Sequence, residues 1–229
     1  MISKDKTVQL ISMYLYISDI YESDLQFSCE RFSNNNNPEF SDQEIITLFL
    51  FSIKYEHKYK IKHIYQFAKD YLLSWFPKLP SYVAFTTRLN RLSEAFKVLL
   101  SKLLNTFDRS QCSSVVSLLD SMPIITCSGK RIGKVATELT DKSFCSTKGI
   151  WYYGLKLHIL GFKRYGKLPL PESIVVTQAS ENDLNVVRQP IESLFNWLIE
   201  KTNIQRASTV RSTNGLLVHV FGRLAAAYL

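Results

Sequence analysis

The stretch SIVVTQASENDLNVVRQPIESLFNW, residues 173–197, decides how this chain is read. Its first seven residues are mostly β-branched or apolar and read as a strand. A few polar residues later the pattern turns helical, with Arg188 and Glu192 four apart and therefore on one helix face. A strand leading into a helix armed with an arginine and a glutamate suits one wall of a catalytic site. The question is which other strands and acids stand beside it.

Upstream, SSVVSLLDSMPIIT (113–126) holds a short, nearly continuous apolar run that closes on Asp120, as expected of a strand buried on both faces. GIWYYGLKLHILGF (149–162) is aromatic and β-branched enough for a long strand. From about Gln189 to the end the pattern is helical, interrupted around 209–215. Before residue 110 it is helical as well. Residues 8–20 carry apolar side chains at helical spacing, SNNNNPEF (33–40) is a loop by composition, and Ser41-Asp42-Gln43-Glu44 has the form of a capping box before IITLFLF. The helical pattern continues through IKHIYQFAKDYLLSWF, breaks at Pro77 and Pro80 and restarts at Ser81. Further on, Leu92, Phe96, Leu99, Leu100 and Leu103 share one face. The expectation is an α/β chain of the α+β kind, a helical region over about 1–110 followed by a strand-containing region over about 111–229.

With 229 residues and 46% hydrophobic composition the chain has enough apolar material for one large core or two modest ones. Its formal charge of +8 makes a polyanion, nucleic acid first, the natural partner. The apolar run 45–53 ends at Lys54, too short for a bilayer, and MISKDKTVQL is charged where a signal peptide is apolar, so a cytoplasmic protein without membrane partner is expected. Cys29, Cys112, Cys127 and Cys145 form no C-x-x-C pair and read as free thiols; His57, His63 and His158 are too scattered for a metal set.

The positive charge is concentrated. Residues 51–100 hold nine Lys/Arg against three Asp/Glu, and 124–170 hold nine against two, which leaves the rest of the chain net acidic. In KYEHKYKIKH (54–63) Lys58 and Lys60 alternate with tyrosines, a mixture suited to gripping phosphates and stacking on bases, and equally to a solvated helix face. The helix–loop–helix around LPSYVAFTTRLNRL offers Arg88 and Arg91 to a DNA backbone or groove. Lys156, Lys163 and Arg164 lie in or after the long strand, where an alternating strand also places solvent-facing residues.

An ionised Asp120 at the end of an apolar strand is costly unless that end opens on solvent, a metal or a cation. Carboxylates converging from different elements are how magnesium sites for polynucleotide chemistry are built. Arg188 and Glu192, by spacing alone, also suit an ordinary surface ion pair.

The blocks LLDSMPIITC, KGIWYYGLKLHILGF, VVTQASENDL and VRQPIESLFNWLIEKTNIQRASTVRSTNGLLVHVFGRLAAAYL resemble successive blocks of bacterial insertion-sequence transposases of the DDE class, closest to the insertion-sequence 982 family. LPSYVAFTTRLNRL is similar to that family's amino-terminal helical region. The resemblance implies a ribonuclease-H-like second region and DNA cleavage and strand transfer dependent on Mg²⁺, for which Mn²⁺ substitutes. It also implies binding of double-stranded DNA at terminal inverted repeats and target sites, by a homo-oligomer assembled on DNA. It assigns Asp120 to the first catalytic aspartate and Glu192 to the catalytic glutamate, both as metal ligands, with Arg188, Lys156, Lys163 and Arg164 on phosphates. The second aspartate has no counterpart. The family's A-D-K-x-Y-type block is absent, and 185–187 lead straight into VRQPIES. Asp183 is the nearest substitute acid, and Asp141, in a loop beside Lys142, is more remote. In the family the first strand is central, so loss of the fourth and fifth leaves the Asp120 strand as a bare edge. Two functions follow: a transposase, or a catalytically inactive DNA-binding remnant of one.

Overall fold

The computed structural model describes residues 2–29, 38–113, 116–181 and 189–229. It is an α+β structure: helices over 4–106, then a four-stranded, antiparallel sheet, then further helices. Among the described residues no helix is long and apolar enough to cross a membrane. The chain forms two compact units, Met1–Leu103 with Leu217–Leu229, and Leu104–Leu216.

In the first unit, helix α1 (Lys4–Ile20) is capped by Ser3 and runs through a π-helical turn, Tyr21–Leu25, into α2 (Gln26–Cys29). The capping box before α3 (Asp42–Lys54) is formed as expected: the Ser41 hydroxyl accepts from the Glu44 N–H at 3.2 Å, and the Ser41 N–H donates to Glu44 Oε2 at 2.6 Å. Residues 45–53 of α3 are buried all round, which marks it as the central helix of this unit. Helix α4 (Ile61–Tyr71) and α5 (Tyr82–Arg91) pack with it, α5 starting at Ser81, whose hydroxyl accepts from the Ala84 N–H at 3.3 Å. In α6 (Ser93–Thr106) Phe96, Leu99, Leu100 and Leu103 are all buried.

The chain's end returns to this unit. Helix α9 (Arg223–Tyr228) packs on α3, and Val218, Ala225 and Ala226 enter the same core as Phe49 and Phe96. Gly222 permits that approach, since a Cβ there would stand 2.7 Å from the Phe49 ring. Buried Arg223 donates to the Tyr59 carbonyl and lies over the Tyr59 ring; desolvation pushes its pKa down to about 10. The sequence pattern groups 217–229 with the strands, whereas the structure packs Leu217–Leu229 against helices that precede them.

The second unit is built on β1 (Ser117–Ser128), β2 (Asp141–Cys145), β3 (Ile150–Phe162) and β4 (Leu170–Gln178). β3 is central, with β1 along one side and β2 and β4 in tandem along the other, all antiparallel. Helix α7 (Gln189–Thr202) packs on β1 through a face that includes Ile191, Leu194, Phe195 and Leu198, and α8 (Thr213–Leu217) follows. Asp120 does not close β1 as the apolar run suggested. The strand runs on through Ser128, because SMPIITCS is itself alternating and pairs with β3. β2 is an addition to the strands expected; Asp141 opens this strand instead of standing in a loop.

Nor is the outer edge of β1 bare. Pro123, which has no N–H to leave unpaired, falls on the same side as Ile125. Ile125 donates to the Gln205 carbonyl and accepts from the Ala207 N–H, both at 2.8 Å, in a parallel bridge. The Ser121 N–H donates to Asp120 Oδ1 at 2.7 Å. Proline, a side-chain acceptor and a loop segment thus occupy positions where a further strand would pair.

Candidate nucleic-acid interface and carboxylate pair

Asp120 sits on the face of β1 shared with Leu118, Met122 and Ile124, half-buried and opposite Ile159. Glu192 stands exposed in the first turn of α7, where the helix dipole favours a carboxylate. Because α7 packs on β1, the fold brings together the two elements that carry the expected acids. Asp183 and Arg188 lie outside the described residues. Asp141 is engaged elsewhere: its carboxylate accepts both the Ser180 N–H, at 2.9 Å, and the Ser180 hydroxyl, tying the start of β2 to the turn after β4.

Among the described residues no group of three His, Cys, Asp or Glu side chains is arranged to hold a metal ion. Two carboxylates alone do not match the oxygen-rich set that holds a pair of Mg²⁺ ions. The described residues therefore do not complete the magnesium site that the resemblance implies. Cysteine offers no substitute nucleophile at Cys29, whose thiol is pushed up to about 12, by burial first and by Asp42 second.

The cations fall into three classes. Arg88 is structural: it is buried in α5, and its guanidinium makes a bidentate ion pair with buried Asp42 at the start of α3. This corrects its assignment to DNA phosphates, since a guanidinium paired inside the core is not presented to DNA. Lys58, Lys60 and Arg91 form the second class. Lys60 and Arg91 are exposed, Lys58 is partly so, and none forms an ion pair among the described residues. Lys58 and His63 line an open cleft of about 670 Å³ between α1 and α4. Along α5 the exposed side chains include Tyr82, Val83, Thr87 and Arg91, while Phe85, Arg88 and Leu89 face inward.

The third class belongs to the sheet. Lys156 is half-buried on β3, and its ammonium donates to the Glu181 carbonyl. Just past β3, Lys163 lies 5.3 Å from the Tyr165 ring centre, and Arg164 Nε donates to the Leu168 carbonyl at 2.8 Å. The backbone of Lys163 bonds Ser113 and Val116, so the cations gather where the chain enters β1. Two that the sequence reading does not single out join them: Arg109 lies over the Phe162 ring, and Lys167 donates to Gln111 Oε1 at 2.6 Å. At the opposite end of β3 the rings of exposed Trp151 and Phe144 lie 5.2 Å apart with their planes tilted by 51°, with Lys142 over the indole, Lys130, Arg131 and Lys134 exposed in the segment after β1, and the Lys148 ammonium donating to Gln205 Oε1. Aromatic faces among cations are what nucleic-acid stacking uses, whereas GIWYYG taken as sequence signals only β-propensity.

Comparison with protein-family models, curated proteins and solved structures finds no match to this chain.

Proposed function

We propose that this chain is a shortened insertion-sequence transposase of the DDE class, similar to the insertion-sequence 982 family, which binds double-stranded DNA at terminal inverted repeats and does not cleave it. The observation that carries this reading is a carboxylate set that, among the described residues, stops at two, Asp120 on β1 and Glu192 on α7, beside outward-facing cations. The antiparallel order of β1, β3 and β4, with β1 at an edge, suits a ribonuclease-H-like sheet from which later strands are missing. Lys58, Lys60 and Arg91 hold phosphates on the helical unit; Lys163, Arg164, Arg109 and Lys167 do so on the sheet. Mg²⁺ would be the cofactor of the complete triad, and no step is assigned to it with two acids.

The deciding experiment offers labelled duplexes carrying the element's flanking ends to the wild-type chain, Asp120→Ala and Glu192→Ala, with Mg²⁺ or Mn²⁺. Binding that weakens steeply with salt, without nicking, is expected. Replacing Lys58, Lys60 or Arg91 by Ala lowers affinity alike on all sequences and reduces the salt slope by about 0.9 for each phosphate that is no longer neutralised. End-specific nicking that both acid substitutions abolish would overturn the proposal and identify a third acid, Asp183 first, in an active transposase.

A further inference from the structure

Helix α1 is apolar on two sides. Leu10, Met13 and Ile17 are buried in the core of the helical unit, but Val8, Ile11 and Leu15 are 62%, 40% and 57% exposed. At 3.6 residues per turn these three fall on one stripe, and Lys4 and Asp19 at its two ends fall on the same stripe, all five within about 80° of arc. Lys4 and Asp19 are exposed, and neither forms an ion pair among the described residues.

The positions are symmetric about a point between Ile11 and Ser12. Lys4 and Asp19 are equally far from it, and so are Val8 and Leu15. We infer that α1 is a self-association surface whose partner is α1 of a second copy, lying antiparallel across a two-fold axis at that point. Such an axis makes every contact reciprocal. Lys4 of each copy meets Asp19 of the other, Val8 meets Leu15, and Ile11 lies beside Ser12 at the axis. A parallel arrangement would set Lys4 against Lys4 and Asp19 against Asp19. Charge complementarity therefore selects both the partner and its direction. With three apolar side chains per copy along about 22 Å of helix, the contact belongs to the small, reversible class of interfaces. It stands apart from the DNA reading, because it rests on residues assigned no role there.

Sedimentation velocity on the full chain, over a range of concentrations at low ionic strength, tests the pairing. The wild type is expected to show a reversible monomer–dimer equilibrium. Lys4→Glu and Asp19→Lys each set like charges together twice per dimer and are expected to weaken self-association about tenfold. An equimolar mixture of the two variants is expected to regain wild-type association as a heterodimer, because each mutated end then meets its opposite charge. Leu15→Lys, at an exposed position, is expected to leave helicity unchanged and abolish the dimer. A chain that stays monomeric, a dimer insensitive to these substitutions, or a mixture that does not recover overturns the inference.

Discussion

Burying Arg88 beside Asp42 takes two opposite charges out of water, and the gain from their bidentate pairing offsets that cost only while both are present. The pair joins the first residue of α3 to the last turn of α5 and so fixes the helix whose outer face carries Thr87 and Arg91. Asp42→Ala leaves a guanidinium buried without its carboxylate, and a loss of about 3–5 kcal/mol in unfolding free energy is expected. Arg91→Ala, one turn further on and exposed, should change stability by no more than about 0.5 kcal/mol while weakening DNA binding. Urea denaturation of both variants beside a binding titration separates the two roles. Equal stability of Asp42→Ala and the wild type would show that the pair contributes nothing net.

At the scale of the element, β1 survives as an edge because its outward backbone groups are handled locally. Pro123 lacks the donor, Asp120 accepts from Ser121, and the segment around Gln205 and Ala207 bonds Ile125. The register with β3 slips between Ile125 and Cys127, and the Thr126 hydroxyl in this bulge donates to the Tyr153 carbonyl at 2.9 Å. Gly154 lies opposite, close enough that a Cβ there would run into the Ile124 carbonyl oxygen. Gly154→Ala must therefore push two paired strands apart. A loss of about 2 kcal/mol or more, as in overpacked cores, is expected in denaturant unfolding followed by Trp151 and Trp197 fluorescence. An unchanged midpoint would mean that the bulge relaxes freely. Long strands and helix caps are legible in the sequence because they depend on neighbours: Ser41 needs only Glu44, and β3 needs only its own aromatic and β-branched run. β2 is not, since DKSFC is short, half polar and held by backbone pairing to β3. The burial of Arg88 depends on a residue 46 positions away, and the bridge at Ile125 on one about 80 away, distances over which no periodicity speaks. Of the site, the sequence names Asp120 and Glu192 and their elements; Arg109, Lys167 and the Trp151–Phe144 pair emerge only from tertiary placement.

For the whole molecule, the order of the chain and the order of its cores differ. The helical unit begins at the N-terminus but is finished by Leu217–Leu229, after the entire sheet unit has been made. Val218, Ala225 and Ala226 belong to the same core as Phe49 and Phe96, and Gly222 lies against both rings. A buried aliphatic side chain contributes up to about 1.5–3 kcal/mol, and a domain's total stability is about 5–15 kcal/mol, so removing this segment costs the helical unit a large share of its margin. A chain ending at residue 216 is expected to keep its sheet while its helices unfold at lower temperature and its DNA affinity falls with them. The milder variant Gly222→Val drives a side chain against the Phe49 ring and should cost about 1–3 kcal/mol with the chain otherwise intact. Thermal unfolding followed at 222 nm, with limited proteolysis to show which helices are cut first, measures both. Should the 1–216 chain melt with the wild type and bind DNA equally well, the terminal helices are an appendage, and the helical unit is complete in the first 103 residues.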